Sequence, residues 1–150
     1  MEKVVQTLAE LEDGAERFVG ALAPSPRGAT LVTLSGELGA GKTAFVKAAA
    51  KALGVEEIVT SPTFVLEKIY LLPPKQGSQT SLFRRLIHID AYRLEGATDL
   101  AALGFDELMQ DSGNLILLEW PEKVIEELPE PKARIMFTML SDGSRAISYG

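Results

Sequence analysis

Apolar positions in this chain fall into short runs of strand length, broken by polar and glycine-rich stretches, with helical spacing in a few places. Val4-Val5 has the length of a short edge strand. Asp13-Gly14-Ala15-Glu16 has the spacing of a capping box, and Phe18, Val19 and Leu22 then share one helical face, which Pro24, Pro26 and Gly28 bring to an end. Thr30 to Leu34 is β-branched and apolar and reads as a buried strand; a glycine-rich turn leads from it into an Ala/Lys-rich helix, Ala44 to Leu53, stopped by Gly54. Ile58-Val59-Thr60 and Phe64 to Leu72 read as strands on either side of Ser61-Pro62, and Leu86 to Asp90 as another. A helix is predicted over Ala97 to Met109, a strongly apolar strand over Asn114 to Glu119, and a helical turn over Val124 to Leu128. Ala133 to Leu140 and Arg145 to Tyr149 form a terminal β-hairpin. Strands interspersed among helices predict a single α/β domain over 1–150, with a mixed central sheet flanked by helices.

Composition narrows the function classes. With 150 residues, 46% apolar and 24% charged, the chain has the profile of an ordinary globular domain. No window approaches the apolar length of a membrane span, and the acidic N-terminus lacks the build of a signal peptide, so a cytoplasmic protein with no membrane contact is expected. Zero cysteines exclude disulfides, thiolate metal sites and a cysteine nucleophile. The net charge of −6 argues against a surface that grips DNA or RNA phosphates directly. Leu71 to Ile87 departs from that balance, carrying Lys75, Arg84 and Arg85 with no acid: either a docking surface or a solvated loop that offsets nearby acids.

The strongest chemical signal is Gly36-Glu37-Leu38-Gly39-Ala40-Gly41-Lys42-Thr43, a full match to G-x-x-x-x-G-K-[ST] between a predicted buried strand and a predicted helix. Glycines permit the positive φ angles that turn successive N–H groups onto phosphate oxygens, and the helix adds the positive end of its dipole. Lys42 is placed to reach the β- and γ-phosphates and Thr43 to put its hydroxyl on Mg²⁺.

Such a site also needs carboxylates. Asp90 and Glu119 each end an apolar strand, and in a parallel sheet both would project at the carboxyl edge, one holding metal and the other orienting water; spacing does not assign the roles. His88, the single histidine, shares a strand face with Asp90 and reads as a structural residue or as a group that positions Asp90 or a phosphate. Ser61 and Thr63 offer hydroxyls in a turn stiffened by Pro62. Trp120 either packs on a base or fills the core, and Arg93 and Arg145 either neutralise phosphate charge or are ordinary surface arginines.

Together the phosphate loop, Ser61-Pro-Thr-Phe64, His88-Ile-Asp-Ala-Tyr-Arg-Leu94 and Glu119-Trp-Pro-Glu122 resemble the TsaE family, small bacterial ATPases required for threonylcarbamoyladenosine formation in tRNA. The resemblance runs in order from about Val4 to Tyr149. It implies a P-loop ATPase domain that binds ATP or ADP with Mg²⁺, hydrolyses ATP slowly alone, and works with two partner proteins, meeting tRNA only through them. Carried over by residue, it implies that Lys42 and residues 36–43 hold phosphate, Thr43 and Glu119 serve the metal, and Asp90 acts near the γ-phosphate and water. It further implies that Ser61 and Thr63 form a switch-like loop and that Trp120 lies near the nucleotide, where Glu122 and Arg145 are also expected. The chain departs from the family at Ala15, where a threonine near the base is common and Thr7 is the nearest alternative, and in a longer stretch at Leu72 to Phe83. A small-molecule P-loop kinase is the competing expectation; a guanine-nucleotide switch would require an N-K-x-D segment that the chain lacks.

Overall fold

The computed structural model describes residues 2–37, 39–56, 67–73 and 83–150. Among them the chain builds a seven-stranded sheet in the order β1-β7-β6-β2-β5-β4-β3. Its strands are β1 (Glu2–Val5), β2 (Thr30–Gly36), β3 (Glu67–Leu71), β4 (Arg85–Asp90), β5 (Asn114–Glu119), β6 (Ala133–Met139) and β7 (Arg145–Tyr149). The helices are α1 (Leu8–Gly20), α2 (Lys42–Ala52), α3 (Ala97–Ala102) and α4 (Phe105–Met109). β6, β2, β5 and β4 run parallel, while β3, β7 and β1 pair antiparallel with their neighbours, so the sheet is mixed as expected.

The central strands read as continuous apolar runs because both of their faces are covered. On one face α1 and α2 pack Leu11, Ala15, Val19, Phe45 and Val46 against Val32, Leu34, Leu115, Leu117, Ile135 and Phe137. The rings of Phe45 and Phe137 meet edge-on, 5.6 Å apart at 81°. On the other face Leu100 of α3 and Phe105 of α4 cover Leu31, Ile87, Ile89, Ile116 and Leu118. Each such side chain, fully removed from water, contributes about 1.5–3 kcal/mol.

Several expectations are corrected. α1 starts at Leu8, ahead of Asp13: Thr7 is the N-cap, its Oγ1 accepting from the Glu10 backbone N–H at 3.2 Å while Gln6 N–H donates to Glu10 Oε2 at 3.0 Å. Asp13 lies inside the helix and pairs with Arg17 one turn on, at 3.0 Å. The helix also closes at Gly20, ahead of the prolines. The helix predicted over Ala97 to Met109 is two, because Gly104 takes φ 75° and restarts the chain as α4. The turn at Val124 to Leu128 becomes two short 3₁₀ turns, Pro121–Lys123 and Ile125–Glu127. The strand predicted at 58–60 and the Phe64 start of the next lie outside the described residues; Glu67–Leu71 of that strand is observed.

The parallel strands finish at one edge. Register sets Leu34 beside Glu119 and Glu119 beside Asp90, and β2 turns into the phosphate loop two residues later.

Candidate phosphate-binding site

The loop from Gly36 to Thr43 is shaped by its glycines. Gly36, Gly39 and Gly41 have φ of 146°, 81° and 107°, conformations that side-chain-bearing residues rarely adopt. Gly36 is also required sterically, since a Cβ there would lie 2.5 Å from the carbonyl oxygen of Phe137 on β6. Gly41 is the N-cap of α2 and has no side chain to satisfy the first-turn N–H groups, which leaves them available to an anion.

Lys42 is buried at the first position of α2. Its Nζ donates to the carbonyl oxygens of Gly36 and, at 3.2 Å, Glu37, so the ammonium folds back across its own loop. It also stands 3.8 Å from the centre of the Trp120 ring. Burial pulls its pKa below the ordinary lysine value, and the charges of Glu119, Glu122 and Asp90 oppose that shift. The expected residues therefore share one electrostatic environment.

Asp90 is half-buried, and one of its oxygens accepts from the Tyr92 backbone N–H at 3.0 Å. Burial raises its pKa, assisted by Glu119 and opposed by the Tyr92 hydrogen bond, His88 and Lys42. Glu119 is buried beside it, with Oε2 at 2.5 Å from His88 Nε2. His88 thus contacts Glu119; the sequence offered a structural residue or a group positioning Asp90 or a phosphate, and Glu119 as its partner was not among those readings. Period two put it on the correct face, but its partner is set by strand register across 31 residues.

Trp120 directly follows Glu119 in a left-handed conformation, φ 61° and ψ 52°, with its N–H donated to Leu34 O at 3.1 Å. Its ring lies on Tyr92, centroids 4.9 Å apart. Holding a tryptophan there costs about 1–2 kcal/mol, and the return is a ring laid beside the loop lysine. Tyr92 was not singled out in the sequence; the tyrosine of the His88-to-Leu94 block was the available signal. Glu122 is exposed on the following 3₁₀ turn.

Arg145 reaches the loop from β7. Nη2 donates to Gly39 O at 3.1 Å, and the position of a Cβ on Gly41 would be 3.5 Å from its Cδ. Its Nε is buried with no hydrogen-bond partner among the described residues. Leu38, Ser61 and Thr63 lie outside the described residues, and Arg93 is exposed. Ala15 is fully buried between α1 and the sheet, and Thr7 is committed to its helix cap, so neither extends the site.

Two cations of the basic stretch stand at the opposite end of the sheet. Arg84 and Arg85 both bind Asp111, at 2.8 and 2.6 Å, and Arg85 also donates to Asn114 Oδ1 at 2.8 Å. These two charges offset a nearby acid, while residues 74–82 of the same stretch, Lys75 among them, lie outside the described residues.

A phosphate ligand fits what is present: left-handed glycines, an uncapped helix start, a buried ammonium, and an unpartnered guanidinium nitrogen beside Gly41. Among the described residues no three His, Asp or Glu side chains form a metal cage of their own. Mg²⁺ asks for less, one or two protein oxygens with phosphate and water completing the octahedron, and Thr43, Glu119 and Asp90 are donors of that class.

The family model described as "Threonylcarbamoyl adenosine biosynthesis protein TsaE" matches residues 5–147. Proteins named tRNA threonylcarbamoyladenosine biosynthesis protein TsaE are similar over most of the chain. That of Treponema pallidum is 40% identical over 119 residues, covering 79% of this chain and 80% of the relative. That of Streptomyces coelicolor is 43% identical over 115, covering 76% and 72%. A crystal structure of Bacillus subtilis YdiB superposes with a TM-score of 0.73 at 28% identity, covering 99% of this chain and 83% of that one.

Proposed function

The chain belongs to the TsaE family, whose role is in threonylcarbamoyladenosine biosynthesis in tRNA, and we propose that it serves there as an ATPase that binds ATP or ADP with Mg²⁺. The observation that carries this reading is the buried Lys42 ammonium held across the phosphate loop with Asp90 and Glu119 aligned at the same sheet edge.

Each residue then has a task. Lys42 supplies positive charge to the β- and γ-phosphate oxygens, and the loop N–H groups with Arg145 hold the remaining phosphate oxygens. Thr43 and Glu119 hold the cation, which when bound supplies charge neutralisation for phosphoryl transfer. Asp90, with one oxygen fixed by Tyr92, orients the attacking water and takes its proton at the other. Its raised pKa makes it a stronger base than an exposed aspartate.

Two partner proteins perform the transfer to tRNA and stimulate hydrolysis. Contact with tRNA is through them, because gripping phosphates takes clustered cations and this chain carries 15 Lys and Arg against 21 Asp and Glu. Its place of work is the cytoplasm; among the described residues no helix is long and apolar enough to cross a membrane. The kinase alternative would need an arginine lid over the phosphates. Arg84 and Arg85, the basic pair considered for such a lid, stand at the start of β4 and are bound to Asp111, about 16 Å of strand away from Asp90.

The test pairs two variants. Lys42→Ala loses ATP and ADP binding in titration calorimetry, whereas Asp90→Ala keeps ADP binding and loses hydrolysis. Equal loss of binding in both would remove Asp90 from its assigned role, and turnover unchanged by the two transfer proteins would remove the partnership.

A further inference from the structure

We propose that His88 is the positioning residue for Glu119, pinning one carboxylate oxygen so that the other is presented to the cation; this rests on the nucleotide reading above. The two atoms involved, His88 Nε2 and Glu119 Oε2, are 2.5 Å apart, and the side chains are 0% and 3% exposed. Two bare acceptors would repel at that distance, so a proton lies between them, and with Glu119 ionised, as a cation ligand must be, it is the imidazole that donates.

The direction of this bond follows from the sheet. β4 and β5 are parallel neighbours in which His88 stands beside Leu117 and Asp90 beside Glu119. His88 therefore reaches Glu119 from the core side, two residue pairs back along the strands. The carboxylate is held at Oε2 from the core side, and on this proposal Oε1 is the oxygen left to meet the cation at the edge where the phosphate loop lies. An ordinary buried histidine has both nitrogens satisfied. Here Nδ1 is buried with no hydrogen-bond partner among the described residues, and the polar contact of this ring among them is the carboxylate. Carboxylates paired with histidine beside a metal are tuned in this way, and losing the outer partner costs about 10–100-fold in metal affinity.

The geometry separates two conservative variants. A glutamine amide nitrogen can take the place of Nε2, while an asparagine amide nitrogen corresponds to Nδ1, which makes no contact. His88→Gln is expected to keep the Mg²⁺ dependence of the wild type within about threefold. His88→Asn and His88→Ala are expected to raise by about tenfold the Mg²⁺ concentration at which ADP binding, followed by calorimetry, reaches its cation-dependent midpoint. ADP affinity without Mg²⁺ should be the same in all four proteins. Circular dichroism melts run alongside establish that each variant is folded.

An unshifted Mg²⁺ midpoint in folded His88→Asn or His88→Ala would overturn the proposal, as would a glutamine variant shifted as far as asparagine. A glutamine variant that does not fold would overturn it too, because a nitrogen on Glu119 is what the position is said to need. If asparagine and alanine both fail to fold, a wild-type midpoint in the glutamine variant supports it. Wild-type protein that binds ADP while the variant series fails this pattern sinks the role of His88 alone. Wild-type protein that binds no ADP sinks the nucleotide reading and this one with it.

Discussion

Substituting alanine at Gly36 and at Gly39 separates two demands that the phosphate-loop pattern makes of glycine. At Gly36 both act. The residue has φ 146°, and a Cβ would come within 2.5 Å of Phe137 O, 3.0 Å of Phe137 Cβ and 3.3 Å of Phe137 C. Two of these are backbone atoms of β6 and the third is the Cβ fixed to that backbone, directly opposite in the register, and none can swing aside as the end of a flexible side chain could. Relief would require β6 to retreat, but Phe137 is buried against Phe45. The strained backbone costs about 1–3 kcal/mol and the overpacking about 1–3 kcal/mol more, together about 2–6 kcal/mol out of a total stability of about 5–15. For a chain of this size that is a fall in melting temperature of about 5–20 °C. At Gly39 only the first demand acts: φ is 81°, and a Cβ would meet nothing within 4 Å. Gly39→Ala should cost about 1 kcal/mol, or about 2–4 °C. Thermal melts of nucleotide-free protein by circular dichroism measure both. A Gly36→Ala variant melting within about 2 °C of wild type, or a Gly39→Ala variant melting lower than Gly36→Ala, would refute the reasoning.

The corrected start of α1 is open to a similar contrast: Thr7→Ala should cost about 1 kcal/mol through the lost cap, whereas Asp13→Ala, which removes only an exposed pair with Arg17, should stay within about 0.5 kcal/mol in urea melts. Asp90 supplies a pH test. Burial holds its pKa above the ordinary carboxylate value, so the folded state binds more protons than the unfolded one and stability falls as pH rises through that window. Asp90→Asn, which keeps an acceptor for Tyr92, should melt higher than wild type at neutral pH. The gain should shrink as pH drops through the raised pKa toward the ordinary carboxylate range; a gain that grew on acidification would show the sign to be wrong.

What could be read from sequence followed the range of the interactions. Asn114–Glu119 was bounded correctly because a strand covered on both faces leaves an unbroken apolar run. The phosphate loop was legible because its chemistry is local, with ligand groups, glycines and helix start within eight residues. α1 was misplaced at its start because Thr7-x-x-Glu10 and Asp13-x-x-Glu16 have the same spacing, and the choice depends on the buried stripe of Leu11, Ala15 and Val19 against the sheet. Gly104 is absorbed into one long helix because a glycine within a helical pattern is tolerable in sequence, and composition alone does not announce the left-handed φ of 75° that divides α3 from α4. The His88–Glu119 bond was out of reach of any spacing rule, since register alone decides which residue of β5 stands beside β4.

The charges at the sheet edge constrain how a nucleotide would enter. The buried Lys42 ammonium is surrounded by the fields of Asp90, Glu119 and Glu122, three carboxylates to one cation, with Arg145 beyond the loop at Gly39. A triphosphate adds about four negative charges to that set, and in a half-buried site like charges a few ångströms apart repel by several kcal/mol. Lys42 cannot neutralise both groups, because its Nζ is already shared with the loop carbonyls and the Trp120 ring. On the proposed reading the carboxylates are therefore a cost that only a divalent cation removes, and ATP and Mg²⁺ should bind as a unit. The same arithmetic separates the two acids. Glu119, buried and held by His88, stays in place to meet the cation, while Asp90, half-buried and raised in pKa, is the one suited to take a proton.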